Sequence, residues 1–392
     1  MKKSLVSLAF GGLGLGMTEF AMMGVLPDIA GDLHVTIPQA GHFISAYALG
    51  VCVGAPTLIL LARNLPPKRT LLALMAMFTL FNILSALSPG YGTMLVMRFL
   101  AGLPHGAYFG VGAIVAGRLA DEGKAAEAVS IMFAGLTVAN VAGVPLGTYV
   151  GNLFSWRYTF LMVGAWGLVT LWFLRRWLPV VEAQPRSDVR SQFRFLKLPS
   201  SWVLMGVTML GNSALFSWYS YIMPTMRSVA GFGADSEMLI MMVGGAGMVI
   251  GNLLGGRLSD RLTPQRTERL LLILLTVSLA GSFALTHVQA AALCLTLTGA
   301  ALGLSLSAPM QVLVIRNADA GGQMLAAASC QVSFNLGNAI GAYCGGLPVA
   351  AGMDYTWPAA VGVGFSVAAY LLMLCFRAPY PADRYACGES SK

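Results

Sequence analysis

The stretch that decides the fold of this chain runs from residue 4 to residue 26 and reads SLVSLAFGGLGLGMTEFAMMGVL. It is apolar apart from three hydroxyl side chains and one carboxylate, Glu19. An α-helix rises about 1.5 Å per residue, so about 20 such residues cross the ~30 Å hydrocarbon core of a membrane. The stretch therefore predicts a membrane-spanning helix. Because an ionised side chain is costly inside a bilayer, the position of Glu19 needs an explanation.

The composition extends this prediction to the whole chain. Of its 392 residues, 57% are hydrophobic and 10% are charged, whereas soluble domains are about 25% charged. A soluble protein this apolar could not cover its own surface. We therefore expect an all-α polytopic membrane protein, and we expect the first apolar run to be an uncleaved span because no small-residue cleavage site follows it.

Apolar runs of similar length recur between short polar breaks. We predict twelve spans, at 4–26, 40–62, 70–88, 94–116, 127–150, 158–178, 201–223, 237–256, 269–287, 291–314, 324–349 and 357–376. The positive-inside rule orients them with both termini in the cytoplasm. Of the 24 Lys and Arg residues, only Arg157 and Arg227 then fall outside, and Arg98 falls within a span. The net charge of +8 thus reflects membrane orientation, and we expect no nucleic-acid partner.

The chain divides into two similar halves. The longest internal polar stretch predicts an N-terminal half at 1–178, a cytoplasmic linker at 179–200, a C-terminal half at 201–378 and a cytoplasmic tail at 379–392. Glycines recur at matching positions: Gly143, Gly147 and Gly151 match Gly337, Gly341 and Gly345, and Gly50 and Gly54 match Gly247 and Gly251. The repeat predicts a duplicated six-helix unit. The glycine faces serve either generic close packing or, as we interpret them, a sliding seam between the halves.

Motifs for other classes of function are missing from the sequence. The segment nearest to a phosphate-binding loop, at 117–125, has the wrong spacing and no hydroxyl. No His-Glu-x-x-His, cysteine pair or nucleophile elbow occurs, so we expect no enzyme, cofactor or metal site. Twelve spans in two repeated halves without an ATP site favour a secondary transporter, whose substrate is a small molecule.

Several loops and spans resemble those of a known family. The segment Gly-Gly-Arg-Leu-Ser-Asp-Arg at 255–261, followed by Arg266, resembles the cytoplasmic signature of the major facilitator superfamily. The matching first-half loop at 62–69 keeps the bases and lacks the acid. Arg-Phe-Leu-Ala-Gly at 98–102 is similar to the Arg-x-x-x-Gly motif of that superfamily, and Gly-Val-Pro-Leu-Gly at 143–147 resembles a degenerate signature of proton-coupled exporters.

Four further segments narrow the resemblance. The residues at 18–20, 23–27, 37–41 and 156–160 are similar to those of the twelve-span drug:proton antiporter family, and within it to the bacterial arabinose-efflux permease branch. This resemblance implies the major facilitator fold, with 12 transmembrane helices in two pseudo-symmetric six-helix halves. It also implies alternating access, export driven by proton entry, and a monomer in the lipid of the bacterial inner (cytoplasmic) membrane.

Three residues are candidates for proton coupling. Glu19 is the acid that the predicted spans bury, and a carboxylate there is either functional or tied permanently to a base. Arg98 on span four lies at nearly the same predicted depth as Glu19, so a salt bridge or a water-linked contact would join them. His105 lies two turns deeper on the same face as Arg98. It is either a proton relay or substrate contact, or a core histidine with satisfied hydrogen bonds.

Other polar and aromatic residues are candidates for the substrate pocket and the gate. We predict that the pocket residues lie at mid-depth in the spans, and they are Asn140, Asn212, Phe216, Tyr219, Gln311 and Asn335. Such residues either line a pocket or only join helices by hydrogen bonds and packing. We predict gating residues at the cytoplasmic span ends, and these are Arg63, Asp260 and Arg261.

The sequence leaves three functions open. A proton-coupled exporter of small organic molecules, sugar-like or amphipathic and drug-like, agrees best with the resemblance and with Glu19. A proton-independent uniporter or importer of a small polar solute would show no effect of a pH gradient. A non-transporting membrane sensor or lipid-handling protein is disfavoured because the chain has no signalling domain.

Overall fold

A computed structural model describes residues 3–62, 65–120, 125–180, 193–318 and 323–377. Within these ranges the chain forms helices and no strand. Ten helical stretches in the described part of the chain are long and apolar enough to cross a membrane. Two further helices, Pro199–Tyr219 and Gln323–Ala350, lie where spans seven and eleven are predicted. The predicted all-helical membrane fold is confirmed.

One compact unit contains the first eight helices and two segments from later in the chain, Ile222–Arg227 and Phe232–Gly245. These helices are α1 (Lys3–Gly24), α2 (Leu26–Asp32), α3 (Ile37–Ala62), α4 (Pro67–Ala86), α5 (Tyr91–Leu119), α6 (Ala125–Val138), α7 (Val144–Leu153) and α8 (Trp156–Trp177). Helix α1 packs against α6, α7 and α8, while α3 packs against α5. A π-helical turn, Ala139–Gly143, joins α6 to α7. It ends two residues before Pro145, which lacks the N–H that a regular helix would use.

The second compact unit comprises most of the remaining chain. The later helices are α9 (Pro199–Tyr219), α10 (Ile222–Ser228), α11 (Glu237–Arg261), α12 (Pro264–Leu285), α13 (Gln289–Ser305), α14 (Ser307–Arg316), α15 (Gln323–Ala350) and α16 (Trp357–Leu374). Within the second unit, α9 packs against α15 and α16, and α12 packs against α13 and α16. The predicted linker falls largely outside the described residues, so the half-chain boundaries stay a prediction.

Glycines bring helix backbones together inside each unit. A Cβ added to Gly54 would lie 2.0 Å from the carbonyl oxygen of Leu103, and one added to Gly251 would lie 1.9 Å from that of Ala301. Nearly the same number of residues separates Gly54 from Gly251 as separates Leu103 from Ala301, so the internal repeat extends to the packing. Gly143, Gly147 and Gly151 likewise face α1 or α8, and Gly337, Gly341 and Gly345 face α9. These glycine faces pack within their own units, and a seam between the halves stays a prediction.

The core of the first unit surrounds the middle of α1. Leu15, Phe78, Tyr108 and Met132 are buried in one apolar cluster contributed by α1, α4, α5 and α6. Close packing of this kind fixes the helices to within small tolerances. It therefore fixes the position of Glu19, which lies one turn beyond Leu15 on α1.

Candidate functional site

A buried polar cluster lies inside the first unit, where α1, α3 and α5 meet. It contains Glu19 on α1, Tyr47 on α3, and Arg98 and His105 on α5. Their exposed fractions are 5%, 1%, 0% and 2%, respectively. Arg98 and His105 lie seven residues apart, which is two helical turns, so both side chains leave the same face of α5. The three residues predicted from the sequence are thus brought together.

His105 contacts both Glu19 and Tyr47. Its Nε2 lies 3.9 Å from the Glu19 Oε2, a distance that is an ion pair only when the imidazole is protonated. Its Nδ1 lies 2.8 Å from the Tyr47 hydroxyl oxygen. The hydroxyl donates to Nδ1 in one tautomer and accepts from it in the other. Tyr47 and His105 are thus joined by a hydrogen bond, and Glu19 lies next in the row at 3.9 Å from the imidazole.

Arg98 fixes the backbone next to Glu19. Its Nη1 donates to the Thr18 hydroxyl at 2.9 Å, and its Nη2 donates to the Thr18 carbonyl at 3.0 Å. The Thr18 hydroxyl in turn donates to the amide oxygen of Asn82 on α4. The guanidinium carbon lies over the Tyr47 ring, 4.4 Å from its centroid. The charge of Arg98 also interacts with that of Glu19, so Arg98 acts on the carboxylate by both position and charge.

Three members of this cluster were not predicted. Thr18 directly precedes Glu19 in the sequence, and this adjacency is the signal that could have identified it. Asn82 is a polar residue inside a predicted span, which is a pattern that also occurs in ordinary helix packing. Tyr47 gave no signal, because a tyrosine in an apolar helix is equally suited to core packing.

The predicted pocket residues divide between the two units. Asn140 lies in the π-helical turn of the first unit, and such turns are frequent at functional sites. In the second unit, Asn212 and Asn335 are almost fully buried, and the Phe216 ring packs edge-on against Phe334 with centroids 5.6 Å apart. Tyr219 is buried at the end of α9, and Gln311 is half-buried on α14. The side-chain oxygens of Asn140, Asn212 and Asn335 have no hydrogen-bond partner within the described residues.

The predicted gating residues are only partly described. Arg63 lies outside the described residues, as does the side chain of Asp260. The Asp260 backbone belongs to the last turn of α11, and Arg261 is exposed at the end of that helix. A gating role for these three residues stays a prediction.

The two arginines that the positive-inside rule leaves outside are both held by acids of the first unit. Arg157 forms an ion pair with Asp32 at 3.0 Å. Arg227 contacts Asp28 at 3.5 Å and donates from Nε to Glu237, whose side chain is fully buried at the start of α11. The two basic residues that the predicted orientation puts outside are thus both paired with acids.

Charge and burial oppose each other in this ion cluster. Burial raises the pKa of the Asp28 carboxyl, against the opposing charge and hydrogen bond of Arg227. Burial also lowers the pKa of Arg227, but the hydrogen bond and charge of Glu237, together with Asp28, outweigh it and raise that pKa overall. Arg227 therefore stays charged, while Asp28 takes up a proton more readily than an exposed aspartate.

An open groove of about 500 Å³ lies along α7 and α8. It is lined by Val150, Phe154, Tyr158, Leu161, Met162 and Ala165. None of these is a predicted site residue, and Phe154 is 69% exposed. An apolar, open surface on a membrane helix suits lipid chains better than a polar solute, so we do not assign the substrate to this groove.

Comparisons with known proteins agree with this architecture. Residues 8–331 match the sequence profile of the Major Facilitator Superfamily. The putative transporter AraJ of Escherichia coli (strain K12) is 41% identical over 96% of this chain and 95% of its own length. The inner membrane transport protein YdhP of the same organism is 38% identical over 99% and 98%.

Solved structures show the same fold at low sequence identity. A D-xylose–proton symporter superposes with a TM-score of 0.78 at 16% identity, covering 95% of this chain and 97% of that protein. A bacterial homologue of the human lysosomal transporter Spinster, in an inward-facing and unoccupied conformation, gives a TM-score of 0.73 at 16% identity and covers 97% and 95%.

Proposed function

Since this chain belongs to the major facilitator superfamily of membrane transporters, we propose that it exports small organic molecules and that proton entry drives the export. The observation that carries this proposal is the buried carboxylate of Glu19, 3.9 Å from the imidazole of His105. A carboxylate at such a site is costly when ionised and is a functional residue by default. The proposed location is the bacterial inner membrane, with both termini in the cytoplasm and a monomer as the working unit.

In the proposed mechanism, Glu19 alternates between a protonated and an ionised form as the protein opens to either side. Arg98 favours the ionised form by its charge, and burial favours the neutral form. A change in hydration on opening would shift this balance. His105 and Tyr47 would pass the proton to and from Glu19, because each lies within reach of the next.

The proton supplies enough energy for useful accumulation. One elementary charge crossing 100 mV is worth about 2.3 kcal/mol. At about 1.4 kcal/mol per tenfold change in concentration, this sustains a substrate gradient of roughly 40-fold. A single proton-binding residue would therefore suffice.

The proposed substrate is a small solute that is sugar-like or amphipathic. Three buried asparagines, Asn140, Asn212 and Asn335, hold side-chain oxygens without a hydrogen-bond partner in the described part of the chain. Such acceptors suit the hydroxyl or amine donors of a solute. Phe216 lies one turn from Asn212 on α9, and its ring would pack against an apolar face of the solute.

The test begins with a ligand. A thermal-shift screen of sugars, nucleosides, dyes and antibiotics identifies compounds that stabilise the purified protein, because a ligand that binds the folded form raises its unfolding temperature. Uptake or export of the best compound is then measured in proteoliposomes with an imposed pH gradient.

Glu19→Gln is the decisive variant. It mimics the protonated acid and cannot titrate, so it should abolish uphill, pH-driven transport while keeping downhill exchange. Asp32→Asn is a matched control, because it removes a carboxylate that is 49% exposed and paired with Arg157 near the surface. If Glu19→Gln still concentrates substrate at the wild-type rate, Glu19 is structural. If the wild type itself ignores the pH gradient, the protein is a uniporter or importer.

A further inference from the structure

A further buried acid lies in the second unit, where the sequence predicted only a span end. Glu268 is in the second turn of α12 and has no exposed surface. Neither of its carboxylate oxygens has a hydrogen-bond partner in the part of the chain that the structure describes. Glu268 is thus a buried acid at the end of a predicted span, which begins at residue 269.

The helix start explains why Glu268 is inside. The Thr263 hydroxyl accepts a hydrogen bond from the backbone N–H of Arg266, and Pro264 occupies the first turn. These are typical signals of a helix N-terminus. Helix α12 thus begins before the predicted span at 269–287 and carries Glu268 into the packed region.

The internal repeat shows that the fold does not need an acid at this position. Helices α4 and α12 begin alike, with Pro67 and Pro264 in the first turn and a buried threonine three residues later. One residue further on, the first unit has Leu71 and the second has Glu268, and both are fully buried. An apolar side chain therefore fills the same place in one half of the protein, and packing alone does not account for the glutamate.

No basic group in the described structure balances Glu268. Glu268 interacts electrostatically with the thiol of Cys330 on α15, and this thiol also hydrogen-bonds the side chain of Thr208 on α9. The charged and titratable groups at this end of α12 and of the helices around it are Arg257, Asp260, Arg261, Arg266, Arg269, Arg316, Tyr370, Cys375 and Arg377, and the Asp260 side chain lies outside the described residues. None of them forms an ion pair or a hydrogen bond with Glu268 among the described side chains. A buried carboxylate without a partner takes up a proton rather than remain ionised.

We propose that Glu268 is a second proton-binding site of this transporter, occupied by a proton in the conformation described here. The role of this proton in transport rests on the proposed proton-coupled function, whereas the binding of a proton at Glu268 does not. Arg266, two residues away, is exposed at the helix end that is predicted to face the cytoplasm. A small opening at this end would hydrate Glu268 and release its proton to that side. We commit to a proton rather than a metal cation because no group of three or more His, Cys, Asp or Glu side chains that could hold a metal ion occurs among the described residues.

Infrared spectroscopy of the purified protein tests the site directly. A protonated carboxyl group has a C=O stretching band that an ionised carboxylate lacks, and the band shifts in deuterated water. We expect the spectrum of the wild type minus that of Glu268→Gln to show such a band at neutral pH. The same difference band should appear when both proteins also carry Glu19→Gln. A spectrum that Glu268→Gln leaves unchanged would overturn the proposal, and so would loss of the band on adding sodium at constant pH.

Thermal stability separates a functional acid from a structural one. Glu268→Leu installs the residue that the first half has at this place, so its unfolding midpoint should equal or exceed that of the wild type. A clearly lower midpoint would mean that the glutamate is needed for folding and would overturn the proposal. Neither measurement depends on transport, so failure of Glu19→Gln to uncouple transport would leave the assignment of Glu268 standing.

Discussion

Replacing Arg98 by methionine tests whether the buried guanidinium supports the charge of Glu19. Arg98 has no exposed surface and donates two hydrogen bonds to Thr18. Methionine keeps much of the apolar length but removes the charge and both donors. Removing one member of a buried charge pair costs about 3–5 kcal/mol, because the other charge is left uncompensated. We expect Arg98→Met to lose stability in this range and to regain most of it when Glu19→Gln is added.

The assay is the unfolding midpoint in detergent for the wild type, both single variants, the double variant and Arg98→Lys. The lysine keeps the charge and loses the planar fork, so it should cost only about 1.5–3 kcal/mol, the value of one hydrogen bond to a charged group. Residues in one network show coupling of about 0.5–3 kcal/mol in a double-mutant cycle. If the effects of Arg98→Met and Glu19→Gln simply add, Arg98 does not support the carboxylate and serves only to hold Thr18.

Three further predictions address the relay, the outer ion cluster and the helix packing. Tyr47→Phe leaves the His105 Nδ1 without its partner at 2.8 Å, so it should cost about 1–3 kcal/mol and alter the pH profile of transport in proteoliposomes. Burial raises the pKa of Asp28 above its ordinary value of 3.8, so ionisation opposes folding. The stability of the wild type relative to Asp28→Asn should therefore rise as the pH falls through the raised pKa towards 3.8, and a constant difference in the unfolding midpoint would contradict this. Gly251→Ala should lower the unfolding midpoint by the equivalent of about 1–3 kcal/mol, because its Cβ would lie 1.9 Å from a carbonyl oxygen. The control is Gly256→Ala on the same helix, which should be neutral because its Cβ would meet nothing within 4 Å.

The fold was predictable because membrane spans follow from hydropathy and length alone. Apolar runs located the helices, and the recurrence of glycines located the repeat. The glycine pattern could not say which neighbour each face meets, since a small residue permits close approach to any helix. We interpreted the faces that carry Gly54 and Gly251 as part of a seam between the halves. In the structure, each of these two glycines packs against a helix of its own unit.

The sequence predicted the site residues that are identified by their depth in the membrane, and it missed those that are identified by their contacts. Counting residues from the span ends put Glu19, Arg98 and His105 at compatible depths, and the structure brings them together. Residue counting cannot show that Arg98 bonds to Thr18, because that depends on how α1 and α5 are rotated. Glu268 was missed for another reason. The sequence contains the Thr263-Pro264 pair that starts α12. We placed the predicted span by its apolar run, however, and that run begins only at residue 269.

The repeat also indicates which charges belong to the chemistry of the first half. The residues that meet Gly54 and Gly251 show that Leu103 on α5 corresponds to Ala301 on α13. By the same correspondence, His105 has Gly303 as its counterpart. The second unit therefore keeps the helix contact and lacks the imidazole, so the contact between these helices does not require His105.

The same comparison shows that the two halves carry their buried charge-bearing residues at different positions of the repeat. Counting along α5 and α13 in the same register pairs Arg98 with Thr296, a buried neutral residue that donates to a carbonyl in its own helix. At the position shared by Leu71 and Glu268 the difference is reversed, because here the second half holds the charge-bearing residue. Because both halves share the scaffold, it can be built without a charge-bearing residue at these positions, although removal of Arg98 alone would leave Glu19 uncompensated. Under the proposed function, these buried residues serve proton movement, with one proposed site in each half.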